Sequence, residues 1–593
     1  MSISKPTINV FSRKSIVPVR IVDISIKVRK FTEIVRNFNI GTTNIIEVES
    51  KRNVKRVYRK DVGNTIPEKS DMVKKKIKIY RNRFFIYSFI FEAVNIIFVY
   101  LNIYIVCCKM ILHKLYCRYM TAQDIVTKTK ILATIGPASW DEDVLRDMIS
   151  NGMDIARINA SFADFDELER VSRLIRSISP RISIMLDTKG HKIRVTGFEQ
   201  PIELKEDDMV VLIPDLEGEF PSNYIKITYD RLHLDLNRGA RVAFDDGNIQ
   251  AIVEDIKDKE VFCKIQNNGV LKSGKTVNAP GSKLSFTGLT DKDKGDIEYA
   301  VKNKFDFISA SFIKSPDDVN CVRELVGDSD IQIIAKIEDQ SGVDNFDEIL
   351  KVADGIMIAR GDLGIEIPLE QVPILQKQFV YKCRSVGKPV VVATQMLESM
   401  RDNPRPTRAE VSDVANAVMD GCDCVMLSAE TSTGEFPVDT VKQMNDIALN
   451  TESFLIPQEV YGRTDATDDT DELCNTVFRL TKSLDIKCVL AISQSGKTVR
   501  SLSRHRLSIL IYEVSDNVGR IRKDNILRGV KGYYIKNLPE DRDDVIERAA
   551  EVVFSYGVLD FNDKIVIISG SSIKNKDTNT ILEISTVKDI LGR

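Results

Sequence analysis

Lys336 and Glu338 close the run IQIIAKIED (331–339), whose first half has the β-branched composition of a buried strand. A spacing of two puts both side chains on one face of a strand. Burying an ammonium and a carboxylate is costly unless a third species shares their site. Asp362, in IMIARGDLGIEIP (356–368), adds a second carboxylate on the next such run. Two carboxylates without a nearby His or Cys suit a hard divalent cation, Mg2+ or Mn2+, completed by water and substrate oxygens. Gly361 and Gly364 beside Asp362 are expected to permit a tight turn that exposes backbone N–H groups to an anion. Arg157, Arg194 and Lys336 supply positive charge for phosphate. Lysine beside carboxylates and a cation is equipment for phosphoryl transfer or for stabilising an enolate. A purely structural Lys336–Glu338 ion pair is the other meaning of the same spacing.

Such a site needs a scaffold that brings distant segments to one place. Eight short β-branched runs are expected to be strands: 130–136, 154–159, 182–188, 305–312, 331–338, 355–361, 389–394 and 424–430. Helix-like amphipathic stretches such as DEDVLRDMISNG and FDELERVSRLIRSI lie between them. Eight β-then-α units close a parallel barrel, whose functional residues sit at the C-terminal strand ends. Those ends carry Arg157 and Asn159, Asp187 and Lys189, Ser311, Lys336 and Glu338, Arg360 and Asp362, Thr394, and Glu430. The N-terminal ends are expected to carry nothing comparable. The third and fourth strands are far apart, and the β-rich runs DMVVLIP, YIKITY, ARVAFDDG and EVFCKIQNNG between them read as an inserted all-β domain. CVLAIS, SILIYEV and KIVIISG mark a C-terminal α/β domain, with the acidic TDATDDTDE (464–472) as linker. The expected fold is therefore a (β/α)8 TIM barrel with an inserted small β-barrel and a C-terminal α/β domain. Its expected parts are barrel 120–191, lid 192–288, barrel 289–463 and C-terminal domain 473–593.

The charge is not evenly spread. Residues 1–119 carry 24 Lys/Arg against 8 Asp/Glu, although the whole chain stands at −2. That segment also holds one apolar run, 84–112, long enough to cross a bilayer but interrupted by Glu92. The favoured expectation is that translation starts at Met120, leaving residues 1–119 outside the mature protein. A membrane-tethered form is the alternative. Ten cysteines without metal-like spacing suggest reduced thiols. Four histidines argue against a His-rich zinc site.

TKTKILATIGPAS, LDTKG, IIAKIED, IMIARGDLGIEIP, VVVATQMLESM and PRPTRAEVSDVANAVMDGCDCVMLSAETSTGEFP resemble, in order, the successive signatures of the pyruvate kinase family. The resemblance covers the chain from about residue 128 onward. It implies a cytoplasmic glycolytic enzyme that transfers the phosphoryl group of phosphoenolpyruvate to ADP, giving pyruvate and ATP. It further implies a homotetramer with no nucleic-acid partner. Carried over, Glu338 and Asp362 bind Mg2+ or Mn2+, and Lys336 sits at the transferring phosphoryl and the enolate oxygen. Arg157, Gly361 and Thr394 contact substrate, with Thr394 near the proton that converts enolate to pyruvate. Asn159, Arg194 and Lys275 reach the nucleotide, Lys275 from a closing lid.

The resemblance also places a K+ site at Asn159, Ser161, Asp187 and Thr188. Members that need K+ typically carry Glu at the position of Lys192, and members that do without it carry Lys. K+ is accordingly expected to be dispensable here. Two departures stand out. RINASFA (157–163) has Phe162 and Ala163 where the family has His and Gly, which touches a nucleotide contact, and His191–Lys192 replaces Pro-Glu. SQSGKT (493–498) mimics a Walker A loop, but Ala491 stands at its first glycine. The resemblance makes Ser493, Ser495, Gly496, Lys497 and Thr498 an activator loop, while its second loop, 570–580, departs from the family pattern. Other phosphoenolpyruvate-using barrels lack the insertion and the PRPTRAE run, and a catalytically dead homologue would have lost the lysine or a metal ligand.

Overall fold

The structure is a computed structural model. It describes residues 127–592 except 216, 217, 219, 287, 456–468 and 571–579. The apolar run 84–112 and most of the second activator loop lie outside those residues. Among the described residues no helix is long and apolar enough to cross a membrane.

Eight parallel strands close into a barrel: Lys130–Ile135, Met153–Asn159, Ser183–Asp187, Phe307–Ala310, Gln332–Ile337, Gly355–Ala359, Val390–Ala393 and Cys424–Leu427. Each falls within the stretch expected from sequence or within a residue of it. The closure is the register Lys130↔Cys424 between first and last strands. Alternation gives each strand two apolar faces, because helices cover the outside and side chains fill the inside. Leu132, Ile155, Met185, Phe307, Ile334, Met357 and Val391 form the interior layer. Ile131, Ala156, Ile333, Ile337 and Ile358 face the helices. In the fifth strand, then, Ile334 points inward, and Lys336 two residues later points inward too, at the mouth. The opening paradox is resolved by depth: the same face is apolar below and charged above.

The insertion between the third and fourth strands forms a second closed barrel of seven strands. The four β-rich runs seen in sequence are there, but Ile193–Thr196, Ile249–Lys257 and Thr276–Asn278 complete the closure. The first and last of these are short and carry Arg194, Thr276 and Asn278, so no apolar run announces them. The C-terminal domain is a five-stranded sheet in the order Val530–Tyr534, Leu510–Ser515, Cys488–Ile492, Lys564–Gly570, Thr580–Thr586, with the last strand antiparallel.

Three expectations are corrected. The acidic linker ends early, because Asp469–Ser483 is a helix and Asp471 is buried, accepting a hydrogen bond from Ser501 Oγ at 2.5 Å. Acidic residues in a first turn suit the positive helix N-terminus, so the same composition serves a helix start as well as a loop. The ARGDLG segment is not a tight turn: Arg360–Glu366 is a helix, and neither Gly361 nor Gly364 has a positive φ. Lastly, the N-terminal strand ends are rich in buried charge: Lys130, Asp306 and Asp423 are all buried there.

Candidate active site

Lys336 Nζ lies 3.1 Å from Asp187 Oδ1, 2.8 Å from Ser311 Oγ and 3.0 Å from Glu338 Oε1. Burial alone would release its proton, but Asp187 and Glu338 outweigh that and raise its pKa, so the ammonium stays charged. Asp187 is itself buried, which raises its pKa. Arg157 and Lys336 reverse this and hold the carboxyl below the usual range. The Arg157 guanidinium donates to Asp187 Oδ2 at 2.6 Å and to Thr134 Oγ1 at 2.7 Å. Its orientation is thereby fixed from two neighbouring strands.

Glu338 stands one residue past its strand and is almost completely buried. Its Oε2 accepts the Phe312 N–H at 2.6 Å, while the partner of Oε1 is the Lys336 ammonium, 3.0 Å away. Burial raises its pKa, partly countered by Lys336 and Lys192 and reinforced by Asp362. A buried carboxylate that meets one N–H and one ammonium keeps further lone pairs that a hard cation can use. Asp362, on the helix after the sixth strand, accepts Lys192 Nζ at 2.9 Å. That ammonium also sits 5.3 Å over the Phe312 ring. Lys336, Arg157 and Lys192 thus oppose Asp187, Glu338 and Asp362, and the mouth is close to neutral by itself. A divalent cation would turn it positive, which is what an anionic phosphoryl group requires.

Thr394 follows the seventh strand. Its Oγ1 accepts the Gly361 N–H at 2.8 Å and donates to the Ala393 carbonyl at 2.7 Å. A Cβ at position 361 would stand 3.2 Å from that oxygen, so glycine permits the close approach. Thr394 (φ 68°), Gln395 (φ 54°) and Phe312 (φ 55°) are all left-handed non-glycine residues at the mouth. Each such residue costs about 1–3 kcal/mol, and they concentrate where function needs them.

The proposed K+ nook is held together by its own hydrogen bonds. Asn159 Oδ1 accepts the Ser161 N–H at 3.0 Å, and Asn159 pairs in register with Asp187. Thr188 accepts Ser311 N–H at Oγ1 (3.0 Å) and Ser311 Oγ at its carbonyl (2.7 Å). Ser311 therefore ties the nook to Lys336. The lid residues come together but on the lid itself: Arg194 donates to the Gly274 carbonyl at 2.7 Å, and Lys275 pairs with Asp245 at 2.5 Å. Lid and barrel meet through Asn278 on Glu366 (2.9 Å) and through His191, which stacks on Phe286 and bonds the Gly288 carbonyl (2.8 Å). Phe162 is 84 % exposed, so its ring packs little in the protein. In SQSGKT, Ser493 Oγ accepts the Gly496 N–H at 2.9 Å, Gly496 is left-handed, and Lys497 opens the helix that continues through Thr498.

Two rim residues turn away from the mouth. Glu430 is fully buried and accepts the N–H groups of Leu397 and Ser428. Arg360 points under the seventh strand. Conversely, Ser311 was expected at the rim but without its bridge to Lys336, and the Phe312 N–H was missed as a site element. A phenylalanine at a strand end carries no chemical signal, since it is backbone geometry that recruits it.

A closed parallel barrel with an inserted β-barrel lid and a lysine–carboxylate mouth defines a barrel enzyme of phosphoryl or enolate chemistry. The chain matches the family models for the pyruvate kinase barrel domain over residues 126–441 and the pyruvate kinase alpha/beta domain over 471–583. It is 40 % identical over 481 residues to the pyruvate kinase of Geobacillus stearothermophilus, covering 79 % of this chain and 81 % of that one. The Bacillus licheniformis pyruvate kinase is 40 % identical over 479 residues, with the same coverage. A solved pyruvate kinase from Cryptosporidium parvum superposes with a TM-score of 0.73 at 33 % identity, covering 79 % of this chain and 97 % of that one. The chain belongs to the pyruvate kinase family.

Proposed function

We propose that this chain transfers the phosphoryl group of phosphoenolpyruvate to ADP at the barrel mouth. The carrying observation is the buried Lys336 ammonium held between the buried carboxylates of Asp187 and Glu338. In the reaction the bridging P–O bond of phosphoenolpyruvate breaks and phosphorus bonds to a terminal oxygen of ADP. The enolate left behind takes a proton at C3 to become pyruvate. Glu338 and Asp362 would hold Mg2+ or Mn2+, whose charge, when bound, neutralises the phosphoryl oxygens. Among the described residues no three His, Cys, Asp or Glu side chains form a metal cluster, which fits a site shared with substrate oxygens and water. Lys336 stabilises negative charge developing on the phosphoryl and enolate oxygens. Arg157, fixed by Asp187 and Thr134, orients the phosphate. Gly361 leaves room for substrate beside Thr394, and Thr394 stands where C3 is protonated. Asn159, Arg194 and Lys275 serve the nucleotide, the last two when the lid closes and they exchange Gly274 and Asp245 for phosphate.

Lys192 is proposed to make K+ dispensable. Its charge reaches the mouth through Asp362 and is felt at Glu338, in place of a mobile cation in the nook of Asn159, Ser161, Asp187 and Thr188. The loop from Ser493 to Thr498 is proposed as an activator loop. A homotetramer is proposed too, and the exposed Ile374 and Tyr381 on the helix Val372–Ser385, with Leu369 in the turn before it, are apolar surface a second copy would cover. Cytoplasmic residence accords with the free thiols.

The test is formation of pyruvate, read through lactate dehydrogenase, from phosphoenolpyruvate, ADP and Mg2+. Asp362→Asn is expected to lower kcat by about 10²-fold or more. It should also weaken Mn2+ binding measured by electron paramagnetic resonance. Undiminished Mn2+ affinity in that variant would remove Asp362 from the metal site.

A further inference from the structure

We infer that Arg360 is a positioning residue for the protonation half of the reaction, acting through Thr394 without touching substrate. The inference rests on the proposed role of Thr394. Arg360 sits at the start of its helix, yet its guanidinium runs beneath the end of the neighbouring strand. Nε donates to the Ala393 carbonyl at 3.3 Å and Nη2 to the Thr394 carbonyl at 2.7 Å. One planar fork thus grips two successive carbonyls, and this is where the chain enters its left-handed pair, Thr394 and Gln395. Nη2 also meets Met396 Sδ at 2.8 Å. Three of the four residues 393–396 are therefore fixed by this one side chain.

The fork is anchored from behind. Nη1 donates to Asp413 Oδ1 at 2.7 Å and meets Gln376 Oε1 at 3.4 Å, and Gln376 in turn donates to Asp420 at 2.9 Å. Asp413 and Gln376 belong to two different helices packed outside the barrel, Arg408–Asp420 and Val372–Ser385. The guanidinium is largely enclosed, so its five donors are committed to the protein rather than to a ligand.

The consequence is mechanical. A β-branched residue does not hold a left-handed conformation by its own preference. Without the fork, Thr394 relaxes toward extended backbone and its hydroxyl leaves the Gly361 N–H. Gly361 and Arg360 are adjacent, so one short segment sets both the Thr394 hydroxyl, through the Gly361 N–H, and the Thr394 carbonyl, through the Arg360 fork. A lysine keeps the charge but presents a single point donor, and it cannot hold two carbonyls, a sulfur and a carboxylate at once.

The experiment separates protonation from binding. Exchange of the pyruvate methyl hydrogens with D2O, in the presence of Mg2+ and ATP, is followed by proton NMR. Phosphoenolpyruvate affinity is measured by calorimetry in Mg2+. Arg360→Lys is expected to slow exchange by about 10²-fold, the cost of a displaced catalytic group. Phosphoenolpyruvate affinity should change by less than about threefold, as expected when only a transition-state interaction is lost. Gln395→Gly in the Arg360→Lys background should recover part of the exchange, because glycine takes the left-handed conformation unaided. Equal losses of exchange and affinity, or no recovery with glycine, would make Arg360 a general structural support and overturn the inference. Thr394→Val is run alongside. If it leaves exchange intact, the reading of Thr394 fails; if it abolishes exchange while Arg360→Lys does not, only the Arg360 inference fails. Should Arg360→Lys not fold, Asp413→Asn, which loosens the rear anchor alone, is measured in the same way and must slow exchange more than it weakens binding.

Discussion

The two ends of the barrel both bury charge, and they treat it in opposite ways. At the bottom, Asp423 accepts the Arg528 N–H (3.0 Å), the Val390 N–H (3.1 Å) and the Arg506 guanidinium (2.7 Å). Asp306 accepts the Ile184 N–H (2.8 Å), Arg176 (2.6 Å) and Arg522 (2.7 Å). Glu452 takes the N–H groups of Lys128 and Thr129 and the Thr129 hydroxyl. Every one of these carboxylates is saturated, and Arg506, Arg522 and Arg528 all come from the C-terminal domain. This is how charge can be buried for adhesion: each oxygen is given its donors. At the mouth, Glu338 accepts one backbone N–H and otherwise faces only the Lys336 ammonium, and Phe312, Thr394 and Gln395 hold strained backbone. A sparsely bonded, strained end costs stability that the folded protein offsets elsewhere.

If that contrast is right, equivalent charge removals at the two ends have different readouts. Lys336→Met is expected to lower kcat by about 10²- to 10³-fold with a melting temperature close to that of the parent, because an electrostatic contributor at the mouth is lost. Retention of more than about a tenth of the parental rate in the lactate-coupled assay would contradict the role given to Lys336. Asp423→Asn, at the bottom, is expected to lower stability by about 1–3 kcal/mol through its orphaned donors. Its kcat at a permissive temperature should stay at the parental value; urea titration and the same assay check both halves. A kcat loss without a stability loss would erase the distinction between the ends. The smallest effect is reserved for Lys192→Glu, which reverses one charge at the edge of the mouth. The parent is expected to work in K+-free buffer with a quaternary ammonium counter-ion. The variant is expected to gain a K+ requirement of about tenfold, the size of a single charge interaction at intermediate dielectric. K+ stimulation of the parent by that factor would place the monovalent charge somewhere other than Lys192.

Much of this architecture is legible in the chain. The eight strands are short, β-branched and almost wholly buried, so their composition and the helix-like stretches between them mark them unaided. Lys336 and Glu338 stand out because charge at the end of such a run contradicts its composition. Other features leave no such trace. The lid strand Ile193–Thr196 alternates apolar and polar residues over only four positions, and Thr276–Asn278 is shorter still. The bottom charges were passed over because a lone Asp before a strand has the composition of an ordinary turn. Its partners lie far off in sequence: 122 residues separate Asp306 from Ile184, and 105 separate Asp423 from Arg528.

The sequence by itself determined the barrel, the lid's existence and the charged residues of the mouth, because hydrophobic period and residue type are local properties; the family came from the resemblance of its ordered motifs. Tertiary structure alone decided which charges are satisfied. Arg360 and Asp362 are two residues apart and were both placed at the rim, yet Asp362 faces Lys192 at the mouth and Arg360 grips Ala393 and Thr394 from beneath. The Phe312 N–H entered the site only through backbone direction. Hydrogen-bond saturation depends on donors brought from elsewhere in the chain, and no local pattern encodes where those donors will stand.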